Sequence, residues 1–191
     1  MINKIIIFDR KVSDSIRIHN TKSIKFRIAA VLAHSGDSWL WCAILFLFWI
    51  FAEGEKQKIL AFWGISIAVT AVFIFFLKRL IPRKRPDGNW GTIYREKDPF
   101  SFPSGHAVRA GLIIMLGYKF CPEWLFILIV VWALMMILSR VATGVHFLLD
   151  ITAGLLLGLL LGCLWIIEAP WIFTKFYILF DRSLWSFLIE K

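Results

Sequence analysis

Cysteine is scarce in this chain. Cys42, Cys121 and Cys163 stand singly in apolar or boundary sequence, with no CxxC pair and no metal-ligand spacing, so cysteine-based metal binding is excluded and all three read as small buried hydrophobes. Charge is also sparse, at 18% of 191 residues, and no internal repeat or low-complexity segment is present, which at this length leaves one domain. A cleavable leader is missing from the pattern as well. The apolar run near the start extends only from Ile5 to Phe8 before charges return, so the first targeting signal is expected to be a retained span.

What is present in excess is apolar sequence. Hydrophobic residues make up 59%, with ten Trp, and the mean hydropathy is +0.74, outside the range of soluble globular proteins. This composition describes a membrane protein. A formal charge of +9 and a pI near 9.8 would suggest nucleic acid in a soluble chain; beside so much apolar sequence they point to anionic headgroups and phosphates, and no nucleic-acid partner is expected.

Crossing the hydrocarbon takes about 20 helical residues, fewer where polar ends reach the headgroups. Five spans are expected: Ser38 to Ala52, Ile59 to Leu77, Ser104 to Phe120, Trp124 to Ser139, and Phe147 to Ile167. Before them, Ile5, Phe8, Val12 and Ile16, then Ile24, Ile28, Val31 and Leu32, recur at helical spacing among Lys and Arg, as in amphipathic helices lying on a membrane surface. The expected fold is therefore all-α: a polytopic bundle over 38–167, preceded by interfacial helices in 1–37 and followed by an interfacial tail in 168–191, where Asp181 and Arg182 interrupt an apolar stretch.

Threading these spans puts the N-terminus, the long polar segment Lys78 to Pro103 and the turn Val141 to His146 on one side of the bilayer. Three clusters collect there. "KRLIPRKRP" (Lys78 to Pro86) alone would be a basic flank that stops transfer. "FPSGH" (Phe102 to His106) alone would be a helix start, with Ser104 as cap, Gly105 permitting close approach, and free N–H groups with the positive dipole end forming an anion site. In "SRVATGVHFLLD" (Ser139 to Asp150), Gly144 breaks the chain, and His146 and Asp150 lie four apart on one helical face. Together they place two histidines, a carboxylate able to orient one of them, and at least three cations at one membrane face, which packing does not explain. That set indicates phosphoryl transfer through histidine, without saying which histidine attacks.

Lys78 to Pro86 matches KxxxxxxRP, Pro103 to His106 matches PSGH, and Ser139 to Asp150 matches SRxxxxxHxxxD. With all three complete and in order, the chain resembles the type 2 phosphatidic acid phosphatase (PAP2) superfamily from Ser38 to Ile167. The resemblance implies that His146 attacks phosphorus to give a phosphohistidine, that Asp150 orients its ring, and that His106 protonates the leaving group and later helps activate water. It also implies that Lys78, Arg85 and Arg140, with Ser104 and the Gly105 N–H, hold the phosphate oxygens, with no metal or other cofactor. Two features depart from the pattern. The first span of six-span bacterial relatives is replaced by surface helices, and Arg109 follows His106 on the same helical side, either snorkelling to the interface or contacting a headgroup.

The resemblance implies a bacterial cytoplasmic-membrane lipid phosphatase acting on phosphatidylglycerophosphate, undecaprenyl diphosphate or lipid A 1-phosphate. A lipid phosphotransferase using the same intermediate is the nearest alternative, and a non-enzymatic anion transporter the most distant. Sidedness is contested. Fifteen of the 22 Lys and Arg lie on the site's side, which by the positive-inside rule is cytoplasmic, yet Lys78, Arg85 and Arg140 are there for chemistry. Bacterial relatives generally work on the outer face, and an extracytoplasmic site is expected.

Overall fold

The computed structural model describes residues 2–87 and 98–175. They form seven α-helices: α1 (Ile2–Ile16), α2 (Ile24–His34), α3 (Ser38–Phe51), α4 (Gly54–Leu80), α5 (Gly105–Phe120), α6 (Glu123–Ala142) and α7 (Leu148–Lys175). No strand occurs among the described residues beyond one antiparallel bridge, Lys84 with Phe100. The all-α class is the one expected, and a helix occupies each of the five expected spans.

By length and apolarity α4, α6 and α7 can each cross a membrane alone, and α2 with α3, bent by 59° at their junction, passes the same test as a pair. Helix α5 has only 16 residues. It is the centre of the bundle, with Ala107 to Ile113, Leu116 and Gly117 all buried, so it needs no lipid-matched length of its own. Helices α4, α6 and α7 surround it, and α3 pairs with α4 while α2 lies on α6.

Lipid tails are as apolar as leucine, so close packing rather than water exclusion fixes α5 against α7. The sequence provides for this with Gly154, Gly158 and Gly162, one per turn of α7. A Cβ at Gly158 would stand 2.0 Å from the Val108 carbonyl oxygen, and one at Gly111 of α5 only 2.5 Å from that of Leu155. The two backbones therefore touch, and this sets the separation of the residues at their N-terminal ends. Leu128, Val131, Leu134 and Met135 of α6, and Leu156, Leu160 and Leu164 of α7, are exposed around the outside, forming an apolar belt for lipid.

Helix α1 is amphipathic as expected, with Ile5, Ile7 and Phe8 exposed, while the polar Asp9 and Ser13 are buried against the protein. Its apolar face points away from the bundle. Helix α2 likewise exposes Ile24, Ile28 and Val31 and packs inward through Phe26, Ala29 and Ala33. Two expectations change. Helix α7 continues through Pro170 to Lys175 instead of ending near Ile167, since this proline costs one helical N–H and the turn is kept, with Thr174 Oγ1 donating to the Pro170 carbonyl at 2.8 Å. Cys163 is exposed on the outer side of α7, where lipid solvates a thiol as well as a core does, while Cys42 and Cys121 are half-buried. Residues 176–191, which hold most of the expected tail, lie outside the described part.

Candidate active site

The turn between α6 and α7 builds the centre. Helix α6 closes with Val145 N–H donating to the Arg140 carbonyl at 3.1 Å and Gly144 N–H to that of Val141 at 2.9 Å, a left-handed closure that Gly144 allows at φ +72°. The chain then reverses, and His146 is buried beside Arg140. The first N–H groups of α7 have no helical partner, and side chains supply acceptors: Asp150 Oδ2 for Phe147 at 2.9 Å, Ser13 Oγ for Leu148 at 2.8 Å, and Asp9 Oδ1 for Leu149 at 2.9 Å. Two of these caps come from α1, so that helix holds the turn that carries His146.

The cations converge from three places: Lys78 from the end of α4, Arg85 from the segment after it, and Arg140 from the last turn of α6. With Gly105, His106, Arg109 and His146 they line a cavity of about 250 Å³. Its other wall is apolar, formed by Ile67, Ala71, Ile74, Phe75 and Leu112 of α4 and α5. Arg85 Nη1 lies 3.0 Å from His146 Nε2 and donates to the Val145 carbonyl at 3.0 Å. The Asp98 carboxylate occupies the same cradle, accepting from Lys78 Nζ and, at 2.8 Å, from Arg85 Nη2. An anion is thus already seated between two of the cations.

Burial holds the His146 imidazole well below the usual histidine range, and the charges of Arg85, Arg140 and Lys78 push the same way. The ring is neutral near pH 7, with a lone pair to offer. Burial likewise lowers the Arg85 guanidinium, against the pull of Asp98; it stays charged.

Each histidine has a carboxylate. His146 Nδ1 is 3.6 Å from Asp150 Oδ2, beyond hydrogen-bond reach, while Asp150 Oδ1 accepts from Arg83 Nη1 at 2.7 Å. Arg83 also donates to Asp9 and stacks over the Phe147 ring, 4.4 Å from its centroid. His106 Nε2 is 2.7 Å from Asp37 Oδ1, and the other oxygen of Asp37 is 3.1 Å from His34 Nδ1.

Of the residues singled out in the sequence, Lys78, Arg85, Gly105, His106, Arg109, Arg140 and His146 share the cavity, while Asp150 and Ser104 lie behind it. Ser104 takes the N-cap position of α5, but the expected side-chain cap bond is not made. Its N–H donates to the Asp150 carbonyl at 3.0 Å and its backbone packs on Gly154, so main-chain contacts hold that helix start; its buried hydroxyl has no partner among the described residues. Arg109 turns inward instead of snorkelling, donating to the Gly36 carbonyl and to Ser38 Oγ at the bend between α2 and α3, because carbonyl and hydroxyl acceptors lie there. Sequence reasoning missed Asp9, Asp37, Arg83 and Asp98. A polar pair four apart on α1, Asp9 with Ser13, was the one available signal.

The sequence model of the PAP2 superfamily matches residues 60–173. The chain is 33% identical over 136 residues to the undecaprenyl-diphosphatase of Sulfolobus acidocaldarius, covering 66% of this chain and 62% of that protein. It is 30% identical over 177 residues to the lipid A 1-phosphatase of Rhizobium etli, covering 80% and 73%. Among solved structures, the transmembrane PAP2-type phosphatidylglycerolphosphate phosphatase of Bacillus subtilis superposes with a TM-score of 0.67 at 26% identity, covering 89% of this chain and 88% of that one.

Proposed function

Because the chain belongs to the PAP2 superfamily, we propose that it is a membrane lipid phosphatase that works through a phosphohistidine. The observation carrying this reading is a neutral, buried His146, its Nε2 3.0 Å from Arg85 Nη1, on a cavity lined by Lys78, Arg85, Arg140 and His106 and by an apolar wall. A lipid phosphate entering between α4 and α5 would leave its chains against that wall and its phosphate among the cations. His146 Nε2 attacks phosphorus as the P–O bond to the lipid breaks, and His106 gives the leaving oxygen its proton. Water then attacks the phosphohistidine, returning a proton to His106 and releasing inorganic phosphate. Charge gathering on the equatorial oxygens is met by Lys78, Arg85, Arg140 and the Gly105 N–H, with Ser104 behind them. Arg109 also lines the cavity, and a headgroup contact would be made beside its bonds to the Gly36 carbonyl and Ser38 Oγ.

The relatives act, by their names, on a polyprenyl diphosphate, a lipid A 1-phosphate and a phosphatidylglycerolphosphate, and these are the substrate classes proposed here. The test is inorganic phosphate released by the detergent-purified protein from a panel of these three lipids, in excess EDTA. Release from at least one is expected. No release from any, transfer of the phosphate to a second lipid without free phosphate, or strict dependence on added Mg²⁺ would contradict the reading.

The protein is a multi-pass membrane protein, and we assign its site to the extracytoplasmic face of a bacterial cytoplasmic membrane. A single cysteine at Asp87, in a variant without the native cysteines, should react in intact cells with a membrane-impermeant thiol reagent. Labelling only after the membrane is broken would reverse the assignment in favour of the charge count.

A further inference from the structure

Residues 2–59 precede the stretch matched by the superfamily model, yet they reach the reaction cavity. The bend between α2 and α3 is packed directly on His106: a Cβ at Gly36 would stand 3.0 Å from His106 Cδ2 and 2.8 Å from the Met136 sulfur. Gly36 is what lets the chain come this close. Arg109, one turn along α5 from His106, fastens the same bend through the Gly36 carbonyl and Ser38 Oγ. The next residue, Asp37, then has its Oδ1 2.7 Å from His106 Nε2, and His34 Nδ1 at 3.1 Å holds the other oxygen. Both members of the pair are largely buried, with side-chain exposures of 13% and 17%.

We propose that Asp37 is a positioning residue for leaving-group protonation: it fixes the His106 ring with Nε2–H toward the carboxylate and stabilises the imidazolium that must exist before the proton is given up. The site then has two histidine–carboxylate pairs with separate duties. His146 with Asp150 makes and breaks the bond to phosphorus; His106 with Asp37 moves the proton. In the first step the imidazolium of His106 loses a proton to the departing oxygen as the P–O bond breaks. In the second step the neutral ring takes a proton from attacking water as the N–P bond breaks, so His106 ends each cycle as it began. A carboxylate at hydrogen-bond distance favours the charged form of the ring, as a buried aspartate does for a triad histidine. Four cations stand nearby, Lys78, Arg85, Arg109 and Arg140, all opposing a positive His106. Asp37 is the carboxylate that offsets them at the ring.

This inference rests on the phosphatase reading, and the test separates the two. Two substrates of equal chain length are compared, an alkyl phosphate lipid, whose alkoxide leaves poorly without a proton, and a nitroaryl phosphate analogue, whose phenolate leaves unaided. Asp37→Asn should lower kcat on the alkyl substrate about tenfold or more, consistent with loss of general-acid help, with KM little changed. On the nitroaryl substrate the first-turnover release of nitrophenolate should slow less than about threefold by the same reasoning, with steady-state turnover falling further because the later water step still needs His106. Asp37→Glu should restore part of the alkyl activity, and His106→Gln should show the same substrate split. A purely structural role for Asp37 would slow the first turnover of both substrates alike, and equal first-turnover losses, or none, would overturn the proposal. If the unmodified protein cleaves neither substrate, it is the phosphatase reading that fails.

Discussion

Asp150 faces His146 without bonding it: the carboxylate stands 3.6 Å from the ring nitrogen while Arg83, at 2.7 Å, and the Phe147 N–H, at 2.9 Å, hold it in place. The carboxylate is thus pre-positioned by residues that are not in the reaction cavity, and a small ring movement closes the gap, as catalytic hydrogen bonds often tighten only when substrate is bound. Asp150→Asn should lower kcat roughly a hundredfold or more, by analogy with carboxylates that orient a catalytic or metal-bound histidine. Arg83→Gln should lower it less, and the double variant should be no worse than Asp150→Asn alone. Fully additive losses, read from phosphate release, would show that Arg83 does not act through Asp150.

The lowered proton affinity of His146 has a stability signature. In the unfolded chain the ring binds a proton near pH 6.5, whereas in the folded protein it resists one, chiefly through burial and then through Arg85, Arg140 and Lys78. Below that pH the unfolded state takes up more protons, so this contribution is fully present above pH 6.5 and is lost as pH falls through it. Thermal unfolding in detergent should therefore drop more steeply between about pH 7.5 and 5.5 for the unmodified protein than for His146→Gln. Parallel pH profiles would contradict a neutral, buried His146.

Asp98 sits in the cradle as a resident anion and must leave, or share its partners, when phosphate arrives. A partly exposed ion pair is worth up to about 1 kcal/mol, so Asp98→Asn should tighten apparent binding of a phosphate mimic such as vanadate by up to about fivefold. Weaker vanadate inhibition in the variant would mean that Asp98 organises Lys78 and Arg85 for substrate instead of competing with it.

The long apolar runs and the three motifs were legible in sequence because helical periodicity and local spacing carry them; the helices of the bundle and the side on which Lys78, Arg85, His106, Arg140 and His146 gather follow from threading alone. What escaped depends on contacts across many residues. Asp9 meets Arg83, and Asp37 meets His106, only once α1 and the bend between α2 and α3 have folded onto the bundle; Asp37 does not differ locally from any surface aspartate, and Asp9 is marked only by Ser13 four residues on. Arg83 was hidden among the basic residues from Lys78 to Arg85. The amphipathic pattern of α1 was legible, its apolar face turned outward as for a helix on a membrane surface; that its polar face would bury Asp9 and Ser13 against the bundle was not. Gly154, Gly158 and Gly162 form a stripe at four-residue spacing, readable in the sequence, that explains how α5 and α7 come together.

The central claim is that His146 carries the phosphoryl group. The most direct measurement is rapid acid-free quenching of the protein with a lipid phosphate labelled at phosphorus, followed by mass spectrometry under alkaline conditions, where phosphohistidine survives. The account predicts phosphate on His146, its build-up in His106→Gln with a good leaving group, and no label or turnover in His146→Ala. Label on another residue, or near-normal phosphate release by His146→Ala, would contradict it.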